Sequence, residues 1–268
     1  MSMIADYVAM DLETTGLNPR LDKIIEIGAV KVRNGEVVDT FCTYVNPGKG
    51  IPARITELTG ICDEDVKEAP YMEEVLPDFL TFLGDDNLLG HNIIFDYSFI
   101  KKVAVNQKLT FERKGIDTLR IARRFLTQLE SRNLGFLCKY FEIPLEEAHR
   151  AYHDAKAAHL LYKRLGEEFF EKEETLFLPK ELIYSVKKEV PMTPRQKTYI
   201  LDLADKYQIE IQNGQIILPE ILVPKLGDKL DIEHLTKNEA SRLIDCLLSR
   251  MKVSTRHLPL ENGESNFS

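Results

Sequence analysis

Two acids in the run Tyr7-Val8-Ala9-Met10-Asp11-Leu12-Glu13-Thr14-Thr15-Gly16 are the residues that most plainly invite chemistry. The run reads as an extended strand, in which successive side chains alternate between faces, so Asp11 and Glu13 project the same way. Like charges so placed repel, and they either face open solvent or flank a cation. Hard divalent cations take several oxygen ligands, so a cation there needs acids from elsewhere in the chain. Two qualify: Asp96, in His91-Asn92-Ile93-Ile94-Phe95-Asp96, and Asp154, in His149-Arg150-Ala151-Tyr152-His153-Asp154. Both open helices that follow buried or loop segments, and His149 precedes Asp154 by five residues. Each acid alone could be a helix N-terminal residue that complements the dipole. His149 and His153, four apart, could on one helix face form a zinc pair, against which stand the carboxylates nearby and a His149 expected ahead of the regular helix. Four carboxylates and one histidine at the ends of core elements make a stronger case for cation binding than any pair.

The elements that must bring them together follow from periodicity. Residues 7 to 13 and 23 to 32 are rich in apolar and β-branched types, and Asn34-Gly35 between the second run and residues 36 to 45 signals a two-residue hairpin. Three antiparallel strands are expected there. After Pro52 and the short turn Ile55 to Thr59, Pro70 and a periodic run to Leu83 predict a crossing helix. Residues 87 to 90 read as a short buried strand, 95 to 106 as a helix, 115 to 117 as a fifth strand, 118 to 129 as a helix and 134 to 142 as another, stopped by Pro144. A long alanine-rich helix is expected from about Ala151 to Phe170. Strands first, then helix and strand in alternation, imply an α/β fold with a mixed five-stranded sheet flanked by helices.

An acidic stretch (Glu167, Glu168, Glu171, Glu173, Glu174) closes this first domain, residues 1–170, and residues 171–190 read as a linker. A small, mostly helical C-terminal module is expected over 191–253. Thr193-Pro194-Arg195-Gln196 and Thr236-Lys237-Asn238-Glu239 are capping signatures for helices over about 194–207 and 237–250, and Asn213-Gly214 can turn a small hairpin. The polar tail, 254–268, reads as disordered.

Composition sets further bounds. The 268 residues, 44% hydrophobic and 29% charged, suffice for one sizeable domain and an appendage. No apolar run approaches the length of a membrane span and no export signal is visible, so a cytoplasmic location without membrane contact is expected. The four dispersed cysteines read as buried thiols without a metal pattern. A net charge of -8 argues against unaided non-specific nucleic-acid binding, yet residues 101 to 139 hold ten Lys/Arg against three acids, a local net of +7. That segment is either a solvated face outside the apolar stripe Leu119, Ala122, Phe125, Leu126 and Leu129, or a phosphate-tracking one. No phosphate-loop or dinucleotide motif occurs.

With the motifs in view, the chain resembles the DEDDh branch of the DEDD exonucleases, and especially the proofreading domain of the epsilon subunit of bacterial DNA polymerase III. D-x-E-x-T-G stands as Asp11 to Gly16, H-N-x-x-F-D as His91 to Asp96 and H-x-x-x-x-D as His149 to Asp154, with Asn46-Pro47, Ile55 to Ile61 and Asp117-Thr118-Leu119 as secondary features. The resemblance covers roughly residues 5 to 166. It implies a ribonuclease-H-like fold and a metal-dependent 3'-5' exonuclease using two Mg2+ or Mn2+, which suit carboxylate oxygens. It further implies that Asp11, Glu13, Asp96 and Asp154 hold the metals and that His149, a side chain titrating near neutral pH, takes the proton of the attacking water. Thr14, Thr15, Gly16, Leu17, Asn92 and Phe95 would contact the terminal nucleotide. The expected partners are nucleic-acid 3' ends, single-stranded DNA foremost, together with a DNA polymerase subunit. RNA trimming and a non-catalytic module that holds nucleic-acid ends or a polymerase stay open, as do the roles of His153, His159 and residues 191–253.

Overall fold

β1 (Tyr7–Thr14) lies inside the main sheet, paired on both of its sides. A computed structural model describes residues 2–146, 148–186, 188–219, 222 and 229–254. β1 runs antiparallel to β2 (Ile24–Arg33), which pairs in turn with β3 (Glu36–Tyr44). Asn34 (φ 51°) and Gly35 (φ 78°) turn that hairpin in the left-handed conformation whose twist suits the flanking strands. On its other side β1 is parallel to β4 (Leu88–Gly90), and β4 is parallel to β5 (Lys114–Asp117). These are the five expected strands. A sixth, β6 (Lys180–Glu181), extends the sheet to the order β3-β2-β1-β4-β5-β6. Two polar residues carry no periodic signal, and β6 forms because Leu182 donates its N–H to Arg113 O and buries its side chain against Gly115.

Among the described residues, seven α-helices accompany the sheet: α1 (Ala53–Thr59), α2 (Asp63–Val66), α3 (Met72–Leu83), α4 (Ile93–Asn106), α5 (Thr118–Phe125), α6 (Leu134–Tyr140) and α7 (Ala151–Phe169). The alternation of β1 sorts its residues between two cores. Tyr7 and Ala9 pack with Ile121, Leu137, Leu161 and Leu165 of α5, α6 and α7, whereas Val8 and Met10 pack with Leu76, Phe79, Tyr97 and Ile100 of α3 and α4.

Several expectations are corrected. α5 ends at Phe125 rather than residue 129, because Leu126 leaves helical geometry and the Arg132 guanidinium binds the freed carbonyls of Leu126 and Thr127. The basic segment is not one surface. Lys101 and Lys102 are buried, Lys101 Nζ binds Glu112 at 2.7 Å, and Arg124 Nε binds Glu173 at 2.7 Å. Of the four free cysteines Cys138 is buried, while Cys42 is exposed and Cys62 and Cys246 are half-buried. Of the stretch 171–190, Leu176, Phe177 and Leu182 enter the cores, so compactness runs through Lys188. Its acidic surface residues hid these few apolar anchors.

The chain divides into two compact units, Met1–Pro47 with Ile51–Lys188, and Gly48–Gly50 with the residues from Glu189. The second carries both expected helices and, beside them, a small sheet. Its helices, Pro194–Lys206 and Lys237–Ser254, start on the expected caps, Gln196 N to Thr193 Oγ1 at 3.2 Å and Glu239 N to Thr236 Oγ1 at 3.2 Å. Between them lies a three-stranded antiparallel sheet, β7 (Ile211–Gln212), β8 (Gln215–Ile217) and β9 (Lys229–Asp231), with Asn213-Gly214 turning its hairpin. Ile200, Leu203, Ile216, Leu230, Leu243 and Leu247 form its own core. Of the expected polar tail, Ser254 belongs to the last helix and residues 255–268 lie outside the described residues. Among the described residues no helix is long and apolar enough to cross a membrane.

Candidate active site at the end of the central strand

Asp11 and Glu13 continue the Tyr7–Ala9 face of β1, the face that α7 covers. β4 pairs with β1 only at Val8 and Ala9. Farther along, on α4, Asp96 takes the place of a strand partner, its Oδ1 accepting the Leu12 N–H at 3.0 Å, between the two strand acids. After Glu13 the β1/β2 register shifts, and the chain turns away through Thr14 to Leu17. That turn is held from within: Thr14 Oγ1 donates to Gly16 O at 2.7 Å, and the buried Thr15 accepts from Lys23 N at 3.0 Å. Leu17 at its tip is 77% exposed.

Entry into α4 is equally constrained. Asn92, exposed, adopts a left-handed conformation (φ 78°), and its N–H donates to Asp117 Oδ1 at 3.0 Å. The same oxygen accepts Leu119 N at 2.9 Å, so Asp117 caps α5 and fixes the start of α4 together. Phe95, half-buried, packs on Phe99 with ring centroids 5.0 Å apart. Both ring nitrogens of His91 are occupied, Nδ1 by Thr118 Oγ1 at 2.9 Å and Nε2 by Arg132 O at 2.8 Å, and burial pushes its pKa down. His91 is therefore a tie between segments.

The third motif reaches the site from α7. His149 is exposed and has φ 62°, two residues ahead of the helix. Its N–H donates to Asp154 Oδ2 at 3.0 Å. One ligand atom each of Glu13, His149 and Asp154 lie within 4.8 Å of one another. His153 stays outside this group, with Nδ1 3.6 Å from Glu146 Oε2, and because His149 lies ahead of α7 the two histidines do not share a helix face. His159 is buried and accepts or donates at Nδ1 with Tyr7 Oη, 2.9 Å away.

Electrostatics bind the four acids into one unit. Burial, then Asp96, Glu13, Asp154 and Glu26, raise the Asp11 pKa well above the carboxylate range. Burial lifts Asp96 likewise, against the hydrogen bonds from backbone N–H groups including Leu12 and with added push from Glu13 and Asp117. Glu13 is pushed up to about 8, chiefly by burial, then by Asp154 and Glu26, with Arg150 opposing. Burial also raises Asp154, which the His149 N–H partly offsets. Glu13, Asp96 and Asp154 are each less than a tenth exposed. A desolvated set of mutually repelling hard oxygens fits divalent cations such as Mg2+ or Mn2+.

Two residues outside the sequence motifs, Glu26 and Gly28, build the seat for α7. Glu26 lies opposite Glu13 and Gly28 opposite Asp11 in the β1/β2 register. A Cβ on Gly28 would stand 2.1 Å from Ala151 C and Tyr152 N, so the first turn of α7 rests directly on the β2 backbone. Glu26, 1% exposed, accepts Ala151 N at 2.9 Å and Arg150 Nη2 at 2.9 Å. A charge and a glycine inside the apolar run Ile24-Ile25-Glu26-Ile27-Gly28 were the available signals.

A mixed sheet with a carboxylate cluster at the end of its central parallel strand, fed by helices on both faces, defines a ribonuclease-H-like nuclease. The RNase T exonuclease family model matches residues 8–162, and the chain belongs to that family. The DEDDh resemblance read from the three motifs is thereby borne out. Over 170 residues the chain is 45% identical to the DNA polymerase III PolC-type of Caldanaerobacter subterraneus subsp. tengcongensis, an alignment covering 63% of this chain and 12% of that protein. The chain thus spans about an eighth of that relative's length. In fold it is similar to exonuclease I (TM-score 0.60, 14% identity, 97% of this chain and 75% of that one). It is also similar to the nuclease domain of 3'hExo, a DEDDh family member bound to rAMP (TM-score 0.54, 21% identity, 67% of this chain and 98% of that one).

Proposed function

We propose that this chain is a metal-dependent 3'-5' exonuclease that removes nucleoside 5'-monophosphates from DNA 3' ends, single-stranded ends foremost, in a cytoplasmic proofreading or repair setting. The observation that carries the reading is the convergence of Asp11, Glu13, Asp96 and Asp154 with His149 beside two of them. The polymerase relative favours DNA and a polymerase partner; the rAMP-bound neighbour keeps RNA as the alternative substrate.

In this reading Asp11, Glu13, Asp96 and Asp154 hold two Mg2+ or Mn2+ ions. Bound there, the cations supply Lewis acidity to the attacking water and the departing 3' oxygen. His149 accepts a proton from the water as it attacks phosphorus. The P–O3' bond breaks, the phosphate leaves on the released nucleotide, and the shortened strand keeps a 3'-hydroxyl that takes its proton from solvent. Asn92 and Phe95 line the nucleotide pocket with the turn Thr14 to Leu17. Because the Thr14 and Thr15 hydroxyls are engaged within that turn, its contacts come from backbone groups, Gly16 and the exposed Leu17 side chain.

Asp11→Asn is expected to abolish Mg2+-dependent release from a 3'-labelled single strand while the circular dichroism spectrum stays native. Undiminished release refutes the reading. Parallel DNA and RNA oligomers of one sequence separate the two substrates, and binding without turnover in Mn2+ would instead mark a non-catalytic module.

A further inference from the structure

We infer that Glu26 and Arg150 form a positioning clamp that holds His149 in its working place, although neither belongs to the acid cluster. This rests on the reading of His149 as the proton acceptor. Glu26 spends both carboxylate oxygens on the segment that follows His149: Oε1 accepts Arg150 Nη2 at 2.9 Å and Nε at 3.2 Å, and Oε2 accepts the Ala151 N–H at 2.9 Å. Arg150 Nη2 also donates to Tyr44 Oη at 2.9 Å, and its guanidinium lies 5.5 Å from the Tyr44 ring centroid. Residues 150 and 151 are thereby pinned to β2 and β3, while the His149 N–H is pinned to Asp154.

Between these fixed points His149 is left-handed (φ 62°), a conformation that a non-glycine residue keeps only when its surroundings enforce it. Its side chain is exposed, so its direction depends on the backbone that carries it. Loosening residue 150 lets His149 relax toward ordinary φ values and carries its ring away from Glu13 and Asp154. The ion pair is buried on the Glu26 side, where the planar fork of arginine binds both the carboxylate and Tyr44, a task that lysine cannot match.

The test uses the full chain and thymidine 5'-monophosphate p-nitrophenyl ester as substrate in saturating Mg2+, with Glu26→Gln, Arg150→Lys and His149→Ala alone and combined. Glu26→Gln and Arg150→Lys are each expected to lower kcat by about tenfold or more with KM nearly unchanged. In the His149→Ala background the same changes are expected to alter kcat by less than about twofold, the signature of residues that act through His149. If Glu26→Gln fails to fold, Arg150→Lys, which keeps the charges, carries the comparison. The inference is overturned if the folded variants retain full kcat, or if they reduce His149→Ala by the same factor as the parent. A fully active His149→Ala overturns the proton-acceptor assignment itself, and this inference with it.

Discussion

Glu13 and Glu26 stand directly opposite one another on β1 and β2, two buried glutamates side by side on one face of the sheet. Like charges so placed destabilise a strand pair. Here Glu26 is answered by Arg150 and by the Ala151 N–H, whereas Glu13 is left with its pKa lifted to about 8. The neutralised partner anchors α7, and the other offers its charge to a cation.

That asymmetry makes the metal-free protein sensitive to alkali. The folded pKa of Glu13 is about 8 against 4.5 in the unfolded chain, so its contribution favours folding most at acid pH and is lost as pH rises through that window. Asp11, Asp96 and Asp154 shift in the same direction. In EDTA, the Tm advantage of Glu13→Gln over the parent is expected to grow between about pH 5 and pH 8. Added Mg2+ is expected to shrink that advantage, and a pH-independent difference in EDTA would contradict the buried-acid account.

Asp96→Asn separates stability from activity. The amide oxygen can still accept the Leu12 N–H while an ionisable carboxyl is removed from a buried site. The expected outcome is an unchanged or higher metal-free Tm together with a loss of about a hundredfold or more in kcat, read by calorimetry and by nucleotide release.

Gly28→Ala tests the seat of α7. Its methyl would overlap the backbone of Ala151 and Tyr152, so neither side can yield without moving the helix. A cost of about 1–3 kcal/mol or more is expected in urea unfolding, with activity falling further than stability because His149 and Asp154 ride on the displaced segment.

Tyr7→Phe tests a buried pair remote from the reaction. It strips His159 Nδ1 of its partner, at an expected cost of about 1–3 kcal/mol by urea titration. Since burial lowers His159 to about 4 from 6.5, the stability it supports is present above pH 6.5 and lost as pH falls toward 4. Nucleotide release per folded molecule should stay at the parental level.

Leu17→Ala addresses substrate contact. The side chain is 77% exposed, so its removal should leave Tm unchanged. A rise of about fivefold in KM for single-stranded ends is expected if it packs on the terminal base. An unchanged KM would return Leu17 to the status of an ordinary turn residue.

The candidate acids and His149 were legible because three short motifs carry them, at the end of a strongly apolar strand and at the starts of two helices. The hairpins at Asn34-Gly35 and Asn213-Gly214 were legible because left-handed turns restrict composition. β6, the early end of α5 and the packing of residues 176 to 182 were not, since each depends on a partner distant in the chain. The basic run from residue 101 was legible only in part: Arg123 and Arg124 are exposed outside the apolar stripe, whereas burial of Lys101 and Lys102 and the pairing of Arg124 with Glu173 are invisible in local composition.

By itself, then, the sequence determined the order of most strands and helices, the candidate acids and the family. Tertiary structure alone decided that Gly28 lets α7 lie on β2, that Glu26 faces Glu13 and binds Arg150, and that His91 is consumed by Thr118 and Arg132. Local periodicity reports which face a residue takes, whereas close approach and charge pairing arise between segments more than a hundred residues apart, where no short pattern can record them.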